Sequence, residues 1–253
     1  MQGGGLGTLW DALRLALQFL TRVPVPAPWS AQAMARAPCW FAAIGGLVGG
    51  TTALVYLLLS PVFGLGVGAL FAIGAGVWLT GALHEDGLAD TADGLGGGRT
   101  PERALEIMRD SRIGAYGAIA IVFALLVQVA LLIRLGPGLG AAGLIAGHVG
   151  SRASMAIALT TGRYLRAEGA GRGLAAPLDS LGWTILLASL ALGMMALPPT
   201  AIPAALAGLA IAHVWLRRLY GRRLGGVTGD CLGAQQQVGH LGVLLGLAAW
   251  HGA

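Results

Sequence analysis

Charged residues are scarce in this chain: Asp, Glu, Lys and Arg make up 11% of its 253 residues, and lysine is absent altogether. A typical soluble domain carries about 25% charged residues, because charge keeps a folded surface in water. Hydrophobic residues, in contrast, make up 56% of the chain. The composition excludes an ordinary soluble domain and predicts an all-α, polytopic integral membrane helical bundle. Apolar segments run to the end of the chain, so we expect one membrane-embedded domain over residues 1–253.

Cysteine is also rare, with two residues in the whole chain. Cys39 and Cys231 lie far apart and fit neither a metal-ligand spacing nor a disulfide framework. The 16 basic residues are all arginine, but they form no basic stripe with interleaved aromatic residues. We therefore expect no nucleic-acid partner, and we interpret the arginines mainly as signals of membrane topology.

The N-terminus lacks a basic segment followed by a short apolar core. Residues 1–7 are uncharged and rich in glycine, which argues against a cleaved secretory signal. In residues 10–20 the apolar side chains recur at helical spacing, and the proline-rich stretch 24–28 ends the pattern. We expect residues 1–36 to form a lead-in whose amphipathic helix lies on the membrane surface.

The apolar stretches predict about seven transmembrane helices, since one span needs about 20 mostly apolar residues. The predicted spans are 38–59, 62–82, 115–134, 138–160, 181–197, 200–216 and 238–252, of which the last is short. Short breaks at Ser60-Pro61, Gly136-Pro137 and Pro198-Pro199 separate some neighbours, whereas residues 83–114, 161–180 and 217–237 form long connections.

The distribution of the arginines predicts the orientation of the chain in the membrane. All of them except Arg134 and Arg152 lie in the N-terminal segment or in one of the three long connections. With seven spans, these four regions fall on the same side of the membrane. The positive-inside rule assigns that side to the cytoplasm. We expect a multi-pass protein of the cell inner (cytoplasmic) membrane, with its N-terminus and its catalytic loops in the cytoplasm.

Acidic residues are concentrated in one place: seven of the 11 lie between Glu85 and Asp110. Asp86, Asp90 and Asp93 stand at i, i+4 and i+7, which predicts three carboxylates on one helix face. Like charges at this spacing repel each other. A divalent cation would offset the repulsion, and magnesium binds carboxylate and phosphate oxygens. The pattern predicts a magnesium site at these aspartates; the alternative is a solvated charged loop with ordinary ion pairs.

Two neighbouring segments supply further candidates. Gly96 and Gly97 lie in a glycine run whose backbone amides could approach a phosphate, although a flexible connector explains the run equally well. Asp110 could be a metal ligand or a catalytic carboxylate. Arg109 and Arg112 could grip phosphate oxygens with their guanidinium groups. The alternative for this second cluster is an internal salt bridge with arginines that set the topology.

Arg152 and Asp230 are isolated charges in other parts of the chain. Arg152 lies inside an apolar stretch, where a charge indicates a functional site by default. His148, one helical turn away, fits a packed neutral imidazole. Asp230 is the only acid in the last long connection, and both a turn and a substrate contact remain open for it.

Three segments together resemble the cobalamin synthase family, also called adenosylcobinamide-GDP ribazoletransferase. They are residues 84–94 (HEDGLADTADG), 108–114 (MRDSRIG) and 226–234 (GVTGDCLGA). The first is long and specific, and the other two follow in the expected order and spacing. Length and hydrophobic profile match along essentially the whole chain. Cys231 is a small departure, because threonine is more usual at this position.

The resemblance implies an enzyme that joins α-ribazole, or its 5′-phosphate, to adenosylcobinamide-GDP and releases GMP, with Mg²⁺ as cofactor. On this reading, magnesium binds to Asp86, Asp90 and Asp93, and one of Glu85, Asp93 or Asp110 accepts the alcohol proton. The candidate phosphate contacts are Arg109, Arg112, Arg152, Gly96, Gly97 and Asp230. The expected partners are the two substrates, the lipid bilayer and other enzymes of nucleotide-loop assembly.

Other membrane proteins share parts of this pattern. Residues 90–94 repeat the opening D-x-x-D-G of CDP-alcohol phosphotransferases, but the later G-x3-D-x3-D is absent. Residues 86–90 match the D-x3-D of membrane prenyltransferases, but a second such motif is missing. A transporter would need charges or broken helices near the middle of its spans, whereas the acids here cluster at the predicted cytoplasmic ends.

Overall fold

The computed structural model describes residues 5–166 and 170–252, which are predominantly helical. The helices are α1 (Leu6–Leu20), α2 (Ala31–Arg36), α3 (Phe41–Phe63), α4 (Leu65–Thr80), α5 (Leu83–Gly97), α6 (Pro101–Ile107), α7 (Ala115–Thr161), α8 (Ala170–Leu174), α9 (Ser180–Met194), α10 (Ile202–Arg223) and α11 (Gly229–His251). These residues form no strand, and one isolated bridge pairs Tyr164 with Val227. The all-α prediction is confirmed. Parts of the predicted lead-in (1–4), of the connection 161–180 (167–169) and the last residue, 253, lie outside the described residues.

Helix α1 is the amphipathic helix predicted near the N-terminus. The face that packs against the rest of the protein consists of Ala12, Leu15, Ala16 and Leu20. On the outer face, Trp10 is 54% exposed. The helix ends where the backbone N–H and the hydroxyl of Thr21 both donate to the carbonyl of Leu17. The inner face of α1 thus has a protein partner, and its position on the membrane surface stays a prediction.

Three helical segments are long and apolar enough to cross a membrane: Ala31–Phe63, Ala115–Thr161 and Pro199–Arg223. Helices α4 and α5 meet the same criterion only as a pair bent by 90°, which raises the number to four. Helix α9 is apolar but has 15 residues. In the described part of the chain, the predicted count of about seven spans is therefore not confirmed.

Large apolar side chains cover the outside of these helices. In the first half of α7, one outward face carries Ile119, Val122, Phe123 and Leu126, each more than half exposed. A soluble monomer rarely exposes continuous apolar surfaces of this kind, whereas lipid tails would cover them favourably. The surface therefore supports a membrane protein.

Helix α7 is interrupted at the predicted break between two spans. Gly136 has φ 70° and ψ 179°, which lies outside the helical region, and Pro137 follows it. A Cβ on Gly140 would lie 3.5 Å from the carbonyl oxygen of Leu132. In a continuous helix, residues eight apart are separated by about 12 Å. The two legs of α7 therefore fold back and pack side by side, as the break at Gly136-Pro137 predicts.

The acidic segment differs from the prediction. We expected residues 83–114 to form a long loop beginning at the end of the preceding span, but α5 and α6 occupy much of it. The chain turns by 90° between α4 and α5, where Gly81 and Ala82 have φ angles of 67° and 58°. The turn gives the acidic residues a helix of their own, which packs against α7 and α11. The predicted connection 217–237 likewise shrinks to residues 224–228, because α10 and α11 extend into its polar ends.

Candidate active site

Helices α5 and α11 cross at closely packed glycines. A Cβ on Gly87 would lie 2.8 Å from the backbone oxygen of Asp230, and a Cβ on Gly233 would lie 3.0 Å from the Cα of Gly87. Larger side chains would push the two helices apart. The crossing brings Asp86 and Asp90 of α5 close to Asp230 in the first turn of α11. Two motifs that are distant in the sequence therefore meet.

Asp230 is oriented by two neighbours. Arg166 Nη2 donates to Asp230 Oδ2 at 2.5 Å, and the Thr228 hydroxyl donates to the same oxygen at 3.3 Å. Backbone hydrogen bonds fix the segment that carries Arg166, since Leu165 N–H donates to the carbonyl of Val227 at 2.9 Å. Arg166 and Asp230 thus form a positioned pair at the start of α11.

A cavity of about 220 Å³ lies beside this pair, between α1, α5, the end of α7, α8 and α11. Its polar side chains are His84, Asp86, Tyr164, Arg166 and Asp230. Its apolar side chains are Phe19, Leu20, Leu83, Met155, Leu159, Leu174 and Leu232. Such a division suits a ligand that joins an apolar group to a hydroxyl or phosphate group.

Negative charge is concentrated near the polar side of the cavity. Burial, followed by the charges of Asp86 and Asp230, raises the pKa of Asp90 to about 6, against the opposing effect of Arg166. Burial also raises the pKa of Asp230, while Arg166 lowers it. Arg166 is thus one positive charge near three carboxylates, those of Asp86, Asp90 and Asp230. A bound cation would reduce the repulsion among these carboxylates.

The side chains of Asp86 and Asp90 fit magnesium only in a limited way. Within residues 5–166 and 170–252, no three His, Cys, Asp or Glu side chains are grouped so as to hold a metal ion. Magnesium, however, usually binds through one or two carboxylates, water and substrate phosphates. The carboxylate pair on α5 fits such a site if the substrate supplies the remaining oxygens.

Asp93, the third predicted ligand, caps a helix instead. Its carboxylate oxygens accept hydrogen bonds from the backbone N–H groups of Gly114 at 2.7 Å and Gly117 at 2.9 Å, and the residue is 8% exposed. A Cβ at either glycine would lie 2.4 Å from one of these oxygens. A carboxylate at a helix N-terminus is favourable, because the free N–H groups and the helix dipole attract it. Asp93 thus contacts the start of α7, whereas Asp86 and Asp90 do not share these hydrogen bonds, and its role as a metal ligand stays a prediction.

The predicted glycine loop is also helical. Gly96 and Gly97 lie in the last turn of α5, where the helix uses the backbone amides for its own hydrogen bonds. A Cβ on Gly96 would lie 2.6 Å from the ring of Tyr116. These glycines serve close packing, and the structure does not support the phosphate contact predicted for them.

Met108 is buried, residues 109–113 lie at the surface, and no side chain of this cluster lines the cavity. Arg112 Nη2 donates to Asp110 Oδ2 at 2.7 Å. This hydrogen bond lowers the pKa of Asp110 to about 2. Arg109 is exposed. The structure thus favours the salt bridge that the sequence left open, and it does not place Arg109, Asp110 or Arg112 at the cavity.

Arg152 and Glu85 face a different space from the cavity. Arg152 is 1% exposed, and its Nη1 lies 2.9 Å from Nδ1 of His148. Glu85 Oε1 accepts a hydrogen bond from Nε2 of Gln237 at 2.8 Å. Both charged residues line a small internal chamber. Neither residue lines the larger cavity, so the phosphate contact of Arg152 and the catalytic role of Glu85 stay predictions. The contact of His148 with Arg152 agrees with the packed neutral imidazole expected from the sequence, because its Nδ1 must accept from the guanidinium group.

Several residues that line the cavity or connect the helices are not predicted from the sequence. Arg166 was counted only as a topology signal, and Tyr164 was not singled out, although both line the cavity. Gln235, Gln236 and Gln237 donate hydrogen bonds to Ser154, Ser151 and Glu85 respectively. Three consecutive glutamines beside a predicted span were the available signal, because burying them requires hydrogen-bond partners.

Known proteins resemble this chain over nearly its whole length. The family model described as cobalamin-5-phosphate synthase matches residues 12–248. A protein named adenosylcobinamide-GDP ribazoletransferase from Ralstonia pickettii (strain 12J) is 44% identical, over 95% of this chain and 96% of the relative. Relatives of the same name from Ralstonia nicotianae and Shewanella amazonensis are 45% and 42% identical, over 94% and 91% of this chain and 95% and 92% of the relatives. No solved structure matches the chain.

Proposed function

Because this chain belongs to the cobalamin-5-phosphate synthase family, we propose that it catalyses the last step of cobalamin nucleotide-loop assembly. It transfers adenosylcobinamide phosphate from adenosylcobinamide-GDP to α-ribazole or its 5′-phosphate, and GMP leaves. The observation that supports particular residues for this reaction is the arrangement of Asp86, Arg166 and Asp230 around one cavity, with Asp90 close to Asp86 and Asp230.

The reaction requires a sugar hydroxyl to attack the phosphorus bonded to the cobinamide arm. Catalysis of such transfers consists mostly of positioning and of neutralising charge on oxygen. Arg166 lines the cavity, and its guanidinium group is suited to contact phosphate oxygens. Asp230 holds Arg166 and accepts the hydroxyl proton, a role that its raised pKa favours. Glu85, Asp93 and Asp110, the bases predicted from the sequence, do not line this cavity.

Magnesium is part of the proposal. Asp86 and Asp90 would hold the ion together with the diphosphate of the substrate, and the bound ion would neutralise charge on the phosphate oxygens. The neighbouring charges support this assignment. Burial is the main cause of the raised pKa of Asp90, and repulsion by Asp86 and Asp230, which a cation would reduce, adds to it.

The apolar side of the cavity suits the base of α-ribazole, a bicyclic aromatic group. Phe19 lies on this side, and its ring stacks on Phe41 with centroids 6.0 Å apart and 9° between planes. We expect Phe19→Ala to raise KM for α-ribazole about tenfold, because aromatic contacts contribute on the order of 1 kcal/mol beyond their buried area. KM for adenosylcobinamide-GDP should stay the same. Trp10→Ala, on the outer face of α1, is the matched control.

We also propose that the protein lies in the cytoplasmic membrane, with about seven membrane segments and with the N-terminus and cavity on the cytoplasmic side. The arginine distribution and the two legs of α7 support this topology. A cysteine at exposed Arg109 should react with a membrane-impermeant thiol reagent only in opened cells. A cysteine at Gly138, beside the α7 break, should react in cells whose inner membrane is intact. The reverse pattern would contradict the orientation. Association with other nucleotide-loop enzymes stays a prediction.

Release of GMP tests the proposed reaction. Purified protein in lipid, given adenosylcobinamide-GDP, α-ribazole and magnesium, should release GMP together with an equal amount of the cobalamin product. A chelator should stop turnover, and added magnesium should restore it. Folded protein that releases no GMP would contradict the reaction, whereas release that a chelator does not affect would contradict only the role of magnesium.

A further inference from the structure

A second internal space, a chamber of about 20 Å³, lies among α4, α5, both legs of α7 and α11. It touches the catalytic helix α5 but is separate from the substrate cavity; of its polar lining only His84 also borders the cavity. Its lining includes two residues of opposite charge, Glu85 and Arg152, together with Gln237 and His240. The proposed reaction has no step for this chamber.

The two charged groups are held near each other without direct contact. Arg152 Nη1 lies 2.9 Å from His148 Nδ1, and because arginine can only donate, this nitrogen of His148 must accept. Glu85 accepts a hydrogen bond from Gln237 at 2.8 Å. Glu85 and Arg152 attract each other electrostatically, but no ion pair within 4.0 Å joins these two residues, both of which the structure describes.

Four residues that line the chamber each carry a buried polar atom that lacks a hydrogen-bond partner: Arg152 Nε, Glu85 Oε2, His84 Nε2 and His240 Nε2. The first is a donor and the second is an acceptor. Each imidazole nitrogen can donate or accept, depending on its tautomer. An anion would leave Glu85 Oε2 without a donor and a cation would leave Arg152 Nε without an acceptor, whereas water can satisfy both. One water needs about 10–15 Å³ of such space and two to four polar partners. The size and the chemistry of the chamber both match one water molecule.

We infer that an ordered water in this chamber joins Arg152 to Glu85, and that this bridged pair positions α5 so that Asp86 and Asp90 face the substrate. Glu85 directly precedes Asp86, while Arg152 lies in the second leg of α7 and Gln237 in α11. The bridge therefore connects the catalytic helix to both of its neighbours. Glu85 and Arg152 are positioning residues in this account, and neither touches the substrate.

A double-mutant cycle tests this inference, with GMP release as the readout. Arg152→Met leaves the buried Glu85 carboxylate without an opposite charge, and only its hydrogen bond from Gln237 remains. Removing one charge of such a pair is more damaging than replacing both. We expect this variant to lose about 100-fold in kcat/KM and to need more magnesium for half-maximal activity. Glu85→Gln combined with Arg152→Met should be about tenfold more active than Arg152→Met alone, because paired residues are not additive. Its magnesium requirement should return toward that of the unaltered protein.

Three outcomes would overturn the inference. If Arg152 contacts phosphate, the double variant will be no more active than Arg152→Met. If Glu85 is the general base, Glu85→Gln alone will abolish turnover. If the role of the pair is only structural, the magnesium requirement will not change. Arg134→Met is the matched control, since Arg134 lies in the other leg of α7 and contacts the Ala248 carbonyl.

Folding can be followed separately from activity. We expect the midpoint of thermal unfolding in detergent to fall for Arg152→Met and to recover in part in the double variant. If Arg152→Met does not fold, folding of the double variant will support the inference, and failure of both will contradict it. Absence of GMP release from the unaltered protein would contradict the proposed reaction but would leave this comparison of unfolding midpoints intact.

Discussion

Two arginine–carboxylate pairs lie beside helix α5, one at the partly exposed cavity and the other at the buried chamber. Arg166 and Asp230 are in contact at 2.5 Å and border the substrate cavity, where the Arg166 side chain is 32% exposed. Arg152 is 1% exposed and faces Glu85 across a chamber of about 20 Å³. The Arg166–Asp230 pair borders a cavity that a ligand can enter, whereas the Arg152–Glu85 pair lies inside the helix bundle. The proposed function uses the first pair to bind phosphate, and the proposed water bridge uses the second pair to position α5.

Glu85 and Asp86 show that helix α5 separates the chamber from the cavity. The two residues are adjacent, but Glu85 lines the chamber and Asp86 lines the cavity. Successive residues of an α-helix point about 100° apart, so a helix between two compartments divides neighbouring acids between them. We therefore base the proposed roles of these two acids on the cavity that each one lines.

The largest effect should follow from removing an acid on the cavity side. We expect Asp86→Ala to lower kcat for GMP release by about 10³-fold or more, because charge stabilisation at a transferring phosphoryl group is usually the largest catalytic term. The unfolding midpoint should stay close to that of the unaltered protein, since Asp86 is exposed. Activity within tenfold of the unaltered protein would contradict the assignment.

A smaller loss is expected when the cavity arginine is replaced. Arg166→Met should lower kcat/KM by about 10²-fold, and Arg166→Lys should restore only part of it, because lysine lacks the planar fork that matches phosphate oxygens. Steady-state kinetics at saturating magnesium measure both variants. Equal activity of the lysine variant and the unaltered protein would show that only a positive charge is needed there.

Asp93 should affect stability more than catalysis. Asp93→Asn weakens the hydrogen bonds to the N-terminus of α7, and we expect a loss of about 1 kcal/mol in stability, as for other helix caps. Gly117→Ala should act in the same direction, because its Cβ would meet the Asp93 carboxylate. Thermal unfolding and the magnesium dependence of GMP release measure the two effects. A large rise in the magnesium requirement of Asp93→Asn would restore Asp93 as a metal ligand.

The smallest effect is expected outside both compartments. Asp110 and Arg112 pair with each other at the surface, and exposed ion pairs contribute little. Asp110→Asn and Arg112→Met should each change kcat/KM by less than about twofold. A loss approaching that of Asp86→Ala would mean that the surface segment closes over the substrate during turnover.

Much of the fold and the family could be predicted from the sequence. Residues 84–94, 108–114 and 226–234 carried the resemblance, which the matching family model and the named relatives confirm. The all-helical architecture and the break at Gly136 are also confirmed, because helix periodicity and proline or glycine breaks are local properties of the chain. The family membership leaves the rival phosphotransferase, prenyltransferase and transporter readings without support.

The division of the site could not be predicted, because it depends on tertiary contacts. Helical spacing placed Asp93 on the face of Asp86 and Asp90, but α7 covers that end of α5 through Gly114 and Gly117. Arg166 reaches Asp230 only because backbone hydrogen bonds hold its segment against the start of α11. The number of spans could not be predicted either, because the length of an apolar stretch does not reveal a 90° bend such as the one between α4 and α5.

The most direct test is a pair of experimental structures of the protein in lipid, one with α-ribazole bound and one with adenosylcobinamide-GDP and magnesium bound. The account predicts the base of α-ribazole against Phe19, its sugar hydroxyls toward Asp230 and Arg166, and the ion beside Asp86 and Asp90. Binding of either ligand at the surface cluster of Arg109, Asp110 and Arg112, or contact of Arg152 with the ligand, would contradict it.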